Sequence, residues 1–179
     1  MTPRSPIDRI YLIGLMGAGK STLGRLLSES MHWQFTDLDE QIEEAWGFSV
    51  TKIFNDHGEA AFRDAESKVL QATLNQKQVV VACGGGIILR SENHDLLKTG
   101  LVIWLELNPH EAASRIRLSK QRPLLNENTD TATTLANILD ERKELYEKVA
   151  EIRLNCSGSS PDELVRQILN KVESSYEHA

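Results

Sequence analysis

The stretch GLMGAGKS at residues 14–21 has the spacing G-x-x-x-x-G-K-[ST], which is typical of a nucleotide phosphate-binding loop. It follows the apolar run IYLI at residues 10–13 and precedes the helix-forming stretch TLGRLL at residues 22–27. Its three glycines let the backbone N–H groups turn inward around an anion, and the next helix adds partial positive charge there. A glycine-rich turn that matches by chance is the alternative. The strand–loop–helix setting favours a site for a nucleoside triphosphate, with Lys20 on the β- and γ-phosphates and Ser21 on Mg²⁺.

The composition is that of an ordinary globular chain with one sizeable core. Its 179 residues are 40% apolar and 26% charged, and the formal net charge is −6. That charge argues against a broad basic surface for nucleic acid. Cys83 and Cys156 are far apart and show no zinc or disulfide spacing. No apolar run approaches membrane-spanning length, and the first residues lack a leader-like apolar region, so we expect a cytoplasmic protein without a membrane partner.

Strand and helix signals alternate along the chain. This alternation predicts an α/β fold, a three-layer parallel sheet of about five strands flanked by helices, in a single domain spanning residues 1–179. The stretch 118–134 is the least patterned and is predicted to be a mobile surface segment. The predicted strands lie near residues 10–13, 34–35, 79–82, 101–105 and 152–154, and the helices near 22–31, 39–46, 59–76, 109–118, 132–149 and 162–174.

Several classes of phosphate-loop protein lack their signatures here. The chain has no Asn/Thr-Lys-x-Asp motif for reading guanine, and its apolar run at residues 79–83 ends in three glycines rather than in the acidic residue of many ATPases. Protein-kinase motifs are also absent. A small-molecule kinase is therefore favoured. Another acceptor such as gluconate or a nucleotide, and an ATP-dependent conformational switch without catalysis, remain the alternatives.

Three further features suit an acceptor site. Asp37 and Asp39 follow a predicted strand, where they can serve Mg²⁺ and an acceptor hydroxyl or simply favour the next helix. Arg63 and Glu66 are spaced i, i+3, so they can pair on one helix face, either as a rigid clamp or as a solvated surface pair. The glycines at 84–86 end a predicted strand, where bare backbone can approach a ligand or form a plain turn.

The order of these motifs resembles the shikimate kinase family, whose members have a nucleoside-monophosphate-kinase-like P-loop fold and phosphorylate the 3-hydroxyl of shikimate with MgATP. The resemblance covers almost the whole chain. The segments that carry it are GLMGAGKST at 14–22, Asp37-Leu38-Asp39 with Ile42-Glu43, Ile53-Phe54, Gly58-Glu59, Phe62-Arg63, Gly84-Gly85-Gly86, Arg122-Pro123-Leu124-Leu125, and Arg142 with Leu145-Tyr146.

The resemblance implies roles by position. Catalysis would fall to Lys20 in the phosphate-binding loop, Asp39 in an acceptor-binding region at about 37–66, and Arg122 in a lid at about 116–130. Shikimate would be held by Asp39, Arg63, Gly85, Gly86 and Arg142, since planar guanidinium groups match a carboxylate. Mg²⁺ would be held by Ser21 and, through water, by Asp37. ATP would be held by Gly17, Ala18, Gly19, Lys20, Ser21, Thr22, Arg115 and Arg122. A monomer is expected.

The chain departs from the family pattern at two places. Glu144 stands where the family commonly has a proline, in Arg142-Lys143-Glu144-Leu145-Tyr146. The loop at 155–161 has no arginine, whereas some family members place one near adenine. Neither departure touches the residues expected to transfer the phosphoryl group.

Overall fold

The computed structural model describes residues 7–119 and 130–177, in which strands and helices alternate. The strands are β1 Arg9–Ile13, β2 Gln34–Asp37, β3 Val79–Ala82, β4 Leu101–Glu106 and β5 Ile152–Asn155. The helices are α1 Lys20–Met31, α2 Leu38–Trp46, α3 Val50–Ala72, α4 Ser91–Leu97, α5 Pro109–Ser119, α6 Thr131–Val149 and α7 Pro161–Glu177. Short 3-10 turns lie at Thr73–Asn75 and Ile87–Leu89.

The five strands form one parallel sheet in the order β2-β3-β1-β4-β5. Side chains of a strand alternate between two faces, so Ile10 and Leu12 pack into one hydrophobic cluster while Tyr11 and Ile13 pack into another. Both faces are covered, which explains why β1, β3 and β4 are almost continuously apolar. The predicted α/β fold with about five parallel strands is confirmed.

The strand order places three chemically important chain segments at one edge. β3 lies between β1 and β2, with Ala82 in register with both Leu12 and Asp37. The loop after β1, the carboxylate ending β2 and the glycines after β3 are therefore neighbours at the carboxyl ends of their strands. β1 is also where the connections change direction across the sheet, the usual place of a ligand site in open α/β folds.

The helices differ from the sequence prediction in places where local signals are weak. The predicted helix at 59–76 begins earlier, at Val50, where Ser49 accepts a hydrogen bond from the Lys52 N–H. Gly58 interrupts it with φ 82° and ψ 169°, a backbone conformation that is essentially restricted to glycine. The short helix α4 was not predicted, because seven residues carry too little periodicity to be recognised.

The predicted irregular stretch 118–134 is also shorter than expected at both ends. Helix α5 continues to Ser119, and α6 begins at Thr131 with the Asp130 side chain capping the Ala132 N–H. Residues 120–129 lie outside the described part of the chain. None of the described helices is both long and apolar enough to span a bilayer.

Candidate active site

The phosphate-binding loop between β1 and α1 has the backbone that its glycines predict. Gly14, Gly17 and Gly19 have φ values of 140°, 80° and 86°, which residues with a Cβ rarely adopt. Lys20 is only 8% exposed, and its Nζ donates to the carbonyl oxygens of Gly14 (2.9 Å) and Leu15 (2.8 Å). The ammonium group is thus held inside the loop, where it can meet the charge of a phosphate.

Asp37, at the end of β2, is hydrogen-bonded both to this loop region and to the start of α2. One oxygen, Oδ2, accepts a hydrogen bond from Ser21 Oγ at 2.5 Å. The other, Oδ1, accepts from the N–H groups of Asp39 (3.0 Å) and Glu40 (3.4 Å) and so caps α2. The sequence interpretation in which this carboxylate favours the next helix is therefore confirmed, and its role toward Mg²⁺ stays a prediction. A hydroxyl and a carboxylate side by side fit Mg²⁺, which prefers oxygen ligands and takes few from the protein in nucleotide sites.

A cavity of about 280 Å³ joins these parts into one site. Asp39 and the glycine triplet border it on the acceptor side, and Arg115 borders it on the helix α5 side. Its lining residues are Gly17, Gly19, Lys20, Ser21, Thr22, Asp37, Asp39, Ala82, Cys83, Gly84, Arg115 and Ile116.

Arg63 is held rigidly by a pair of glutamates on α3. Its Nη1 pairs with Glu66 Oε2, and its Nε and Nη2 donate to Glu59 Oε1 at 3.2 and 3.1 Å. The guanidinium also lies 5.8 and 5.4 Å from the ring centroids of Phe54 and Phe62. Side-chain exposure is 12% for Arg63 and 1% for Glu66, so a solvated surface pair is excluded.

The glycine triplet makes room for the groups around it. Gly84, Gly85 and Gly86 do not have positive φ, so turn geometry does not require them. A Cβ at Gly84 would overlap Glu66 Oε1, and one at Gly86 would overlap the Arg63 guanidinium. Because these side chains are absent, helix α3 packs directly against the end of β3.

Helix α6 reaches the same glycine triplet from the other side. Arg142 Nη1 donates to the Gly85 carbonyl at 3.1 Å, so Arg63 and Arg142 flank the triplet. Tyr146 Oη donates to the same carbonyl at 2.7 Å, a contact that was not predicted. Tyr146 follows Arg142 by four residues, so both side chains lie on one helix face. This spacing is the sequence signal from which the contact could have been predicted.

Two predicted nucleotide contacts have less support. Arg115 lies near Gly19 and pairs with Glu111 at 3.9 Å, and the loop after β5 contacts the start of α5 through Ser157 and Gly158. The role of Arg115 in holding ATP stays a prediction. Arg122, predicted to act on the transferring phosphate, lies outside the described residues.

Burial raises the pKa of Glu66 above its ordinary value. Loss of water is the largest cause and the Asp39 carboxylate adds to it, while Arg63 and Arg142 oppose it. Glu66 Oε1 is buried without a hydrogen-bond partner among the described residues. The carboxylate form therefore carries a cost that the ion pair with Arg63 only partly offsets.

We expect Glu66 to make the folded protein less stable as the pH rises above 4.5, the ordinary pKa of a glutamate. A raised folded-state pKa gives stability that is complete below the unfolded-state value and is lost as pH rises through the folded-state value, by at most about 1.4 kcal/mol per pH unit. The free energy of unfolding of wild type minus that of Glu66→Gln should fall across this window in urea titrations.

Glu59→Gln is the matched control for that comparison. It removes a carboxylate that binds the same arginine but is 61% exposed. Its difference curve against wild type should be nearly flat over the same pH range. A flat or rising curve for Glu66→Gln would contradict the raised pKa.

Comparisons with known proteins agree with this geometry. The family model described as shikimate kinase matches residues 16–173. The shikimate kinase of Sulfurihydrogenibium sp. is 37% identical over 93% of this chain and 99% of its own length. That of Synechococcus elongatus is 39% identical over 91% of this chain and 85% of its own.

Solved structures show the same likeness. A shikimate kinase from Acinetobacter baumannii in complex with shikimate superposes with a TM-score of 0.89, at 35% identity and 94% coverage of both chains. The enzyme from Aquifex aeolicus gives 0.79 at 37% identity, covering 92% of this chain and 96% of that one. A gluconokinase from Sinorhizobium meliloti, at 19% identity and a TM-score of 0.62, shares the fold alone.

Proposed function

Because this chain belongs to the shikimate kinase family, we propose that the cavity between its phosphate-binding loop and its glycine triplet transfers the γ-phosphoryl group of ATP to the 3-hydroxyl of shikimate. The chain is an ATP- and Mg²⁺-dependent transferase that phosphorylates shikimate in aromatic amino acid biosynthesis. One observation carries the assignment of the site. Two arginines flank a side-chain-free turn that adjoins the phosphate-binding loop.

The nucleotide half of the site neutralises and positions phosphate. MgATP, when bound, supplies the phosphoryl group and a divalent charge. Lys20 would stabilise the charge on the transferring group, and Mg²⁺ would be held by Ser21 and, through water, by Asp37. The backbone N–H groups of the loop cradle the phosphates, and Arg115 borders the nucleotide. The loop residues assigned to ATP are Gly17, Ala18, Gly19, Lys20, Ser21 and Thr22.

The acceptor half holds a small hydroxy acid. Arg63 and Arg142 bind its carboxylate from two sides, since each guanidinium can donate two parallel hydrogen bonds to it. Gly85 and Gly86 contribute backbone contacts. Asp39 accepts hydrogen bonds from the acceptor hydroxyls and orients the one that attacks phosphorus. Its Oδ1 lies 3.2 Å from the position that a Cβ would take at Gly84, which supports this placement between the two halves.

Further parts of the proposal rest on the resemblance. Residues 1–179 form one kinase domain, with its acceptor region at about 37–66 and a lid that brings Arg122 to the transferring phosphate. A cytoplasmic location fits two buried cysteines that form no disulfide, Cys83 and Cys156. The monomeric state stays a prediction that analytical ultracentrifugation can check.

An ADP-release assay with four conditions tests the function. Purified protein with MgATP is given shikimate, gluconate, AMP or no acceptor, and rapid turnover is expected with shikimate alone. In Asp39→Asn, kcat should fall more than shikimate affinity, because the amide disturbs the reacting hydroxyl while both arginines still bind the carboxylate. Faster turnover with gluconate or AMP would reject shikimate as the substrate, and an unchanged kcat in Asp39→Asn would reject the placement of the acceptor.

A further inference from the structure

The carbonyl oxygen of Gly85 accepts two hydrogen bonds from helix α6. Tyr146 Oη donates at 2.7 Å and Arg142 Nη1 donates at 3.1 Å. A carbonyl oxygen has two lone pairs, so these two donors use its full capacity. One of them is the guanidinium assigned above to the acceptor carboxylate, and the other is a hydroxyl with no assigned role.

Tyr146 is built as a fixed donor. Its side chain is fully buried and stacks on Trp104, with ring centroids 5.4 Å apart and an angle of 18° between the planes. Burial raises the pKa of Tyr146 to about 12, so the hydroxyl keeps its proton at any physiological pH. Trp104 in turn lies against Gly14 of the phosphate-binding loop, which leaves the tyrosine ring little freedom.

The hydroxyl controls the orientation of one peptide unit in the acceptor site. The peptide bond between Gly85 and Gly86 is planar and trans, so fixing the Gly85 carbonyl also fixes the direction of the Gly86 N–H. The carbonyls of Gly84 and Gly86 accept backbone hydrogen bonds from the N–H groups of Ile87 (3.2 Å) and Leu89 (3.0 Å), whereas the Gly85 carbonyl is held by helix α6. The donors from α6 therefore constrain the carbonyl of the triplet that these local turns do not hold.

The hydroxyl and Arg142 share one acceptor, the Gly85 carbonyl oxygen. Gly85 is partly buried, and a carbonyl there that loses its last protein donor carries a free-energy cost. With Tyr146 in place, the carbonyl stays paired when Arg142 turns toward a carboxylate. Without it, Arg142 becomes the remaining donor and is held at the carbonyl in competition with the acceptor.

We propose that Tyr146 is a positioning residue for the acceptor: its hydroxyl holds the Gly85 carbonyl so that Arg142 is released to the acceptor carboxylate. This inference rests on the proposed function of the same site. It adds a residue that touches neither substrate and acts through Arg142 and the Gly85–Gly86 peptide.

Tyr146→Phe tests the inference, because it removes the donor and keeps the stacked ring. The KM for shikimate should rise about tenfold, with kcat within about twofold of wild type and the KM for ATP unchanged. The carbonyl ¹³C resonance of Gly85 should shift upfield, since it loses a hydrogen bond. That second readout needs no substrate.

Tyr11→Phe is the matched control. Tyr11 is equally buried and belongs to the same hydrophobic cluster as Tyr146. Its hydroxyl forms a 3.0 Å hydrogen bond with Thr73 Oγ1. Both variants should lower Tm by similar amounts, whereas only Tyr146→Phe should change the KM for shikimate and the Gly85 resonance. Equal effects of the two variants on KM would reduce Tyr146 to a packing residue and overturn the inference.

A double-mutant cycle with Arg142→Lys separates action through Arg142 from an independent effect. If Tyr146 acts through Arg142, the rise in KM in the double variant should be smaller than the product of the two single rises. Fully multiplicative effects, or a normal KM in Tyr146→Phe, would overturn the inference while leaving the proposed function intact. A wild-type protein without turnover of shikimate would instead reject the proposed function itself.

Discussion

Replacing Lys20 with methionine is expected to reduce kcat for shikimate phosphorylation about a thousandfold. The ammonium group is held inside the phosphate-binding loop by the carbonyls of Gly14 and Leu15, where it can follow the charge that moves with the γ-phosphoryl group. A charge that stabilises the transition state more than the bound substrates lowers kcat when it is removed. Methionine keeps the length of the side chain without the charge.

Steady-state kinetics with saturating ATP and shikimate measures this effect. Because Lys20 also donates hydrogen bonds to two carbonyls, the free energy of unfolding should be measured as well. We expect it to fall by about 1–3 kcal/mol. Lys52→Met is the control, since Lys52 is half-exposed and pairs with Asp56 on the surface of α3. An unchanged kcat in Lys20→Met, with Lys52→Met also normal, would reject the catalytic role of Lys20.

Arg63→Lys is expected to weaken shikimate binding about a hundredfold, while the affinity for ATP changes little. An ammonium cannot donate the parallel pair of hydrogen bonds that a guanidinium gives to a carboxylate, nor can it keep both Glu59 and Glu66 in their present geometry. Arg63→Ala should lose more, about 3–5 kcal/mol of binding energy, because it removes the positive charge as well as the hydrogen bonds to the carboxylate. Arg142→Ala should show a similar selective loss.

Isothermal titration calorimetry with each ligand separately checks these values. Arg25→Lys is the matched control, because Arg25 also pairs with a glutamate, Glu40, and lies 4.6 Å from the ring centroid of Phe35. Unlike Arg63, it is half-exposed, so its replacement should leave both affinities near wild type. Normal shikimate affinity in Arg63→Lys, Arg63→Ala and Arg142→Ala would refute the acceptor site.

The sequence by itself determined the parts of this protein that depend on contiguous residues. The glycines of the GLMGAGKS stretch favour a loop with positive φ at Gly14, Gly17 and Gly19, because residues with a Cβ avoid that conformation. Buried strands that alternate with amphipathic helices can pair only as a parallel sheet covered on both faces. The pairs Asp37/Asp39 and Arg63/Glu66 were recognisable in the same way, because the two members of each pair lie two or three residues apart in the sequence.

Tertiary structure alone decided how those local parts meet. The glycine triplet predicted a turn open to a ligand, yet two of its glycines also make room for Glu66 and Arg63 from α3, as only packed coordinates reveal. Arg142 and Tyr146 reach Gly85 across 57 and 61 positions of sequence. The four-residue spacing places Arg142 and Tyr146 on one helix face, but the partner that this face meets depends on the register between helix and sheet, which is set by side-chain packing over the whole core.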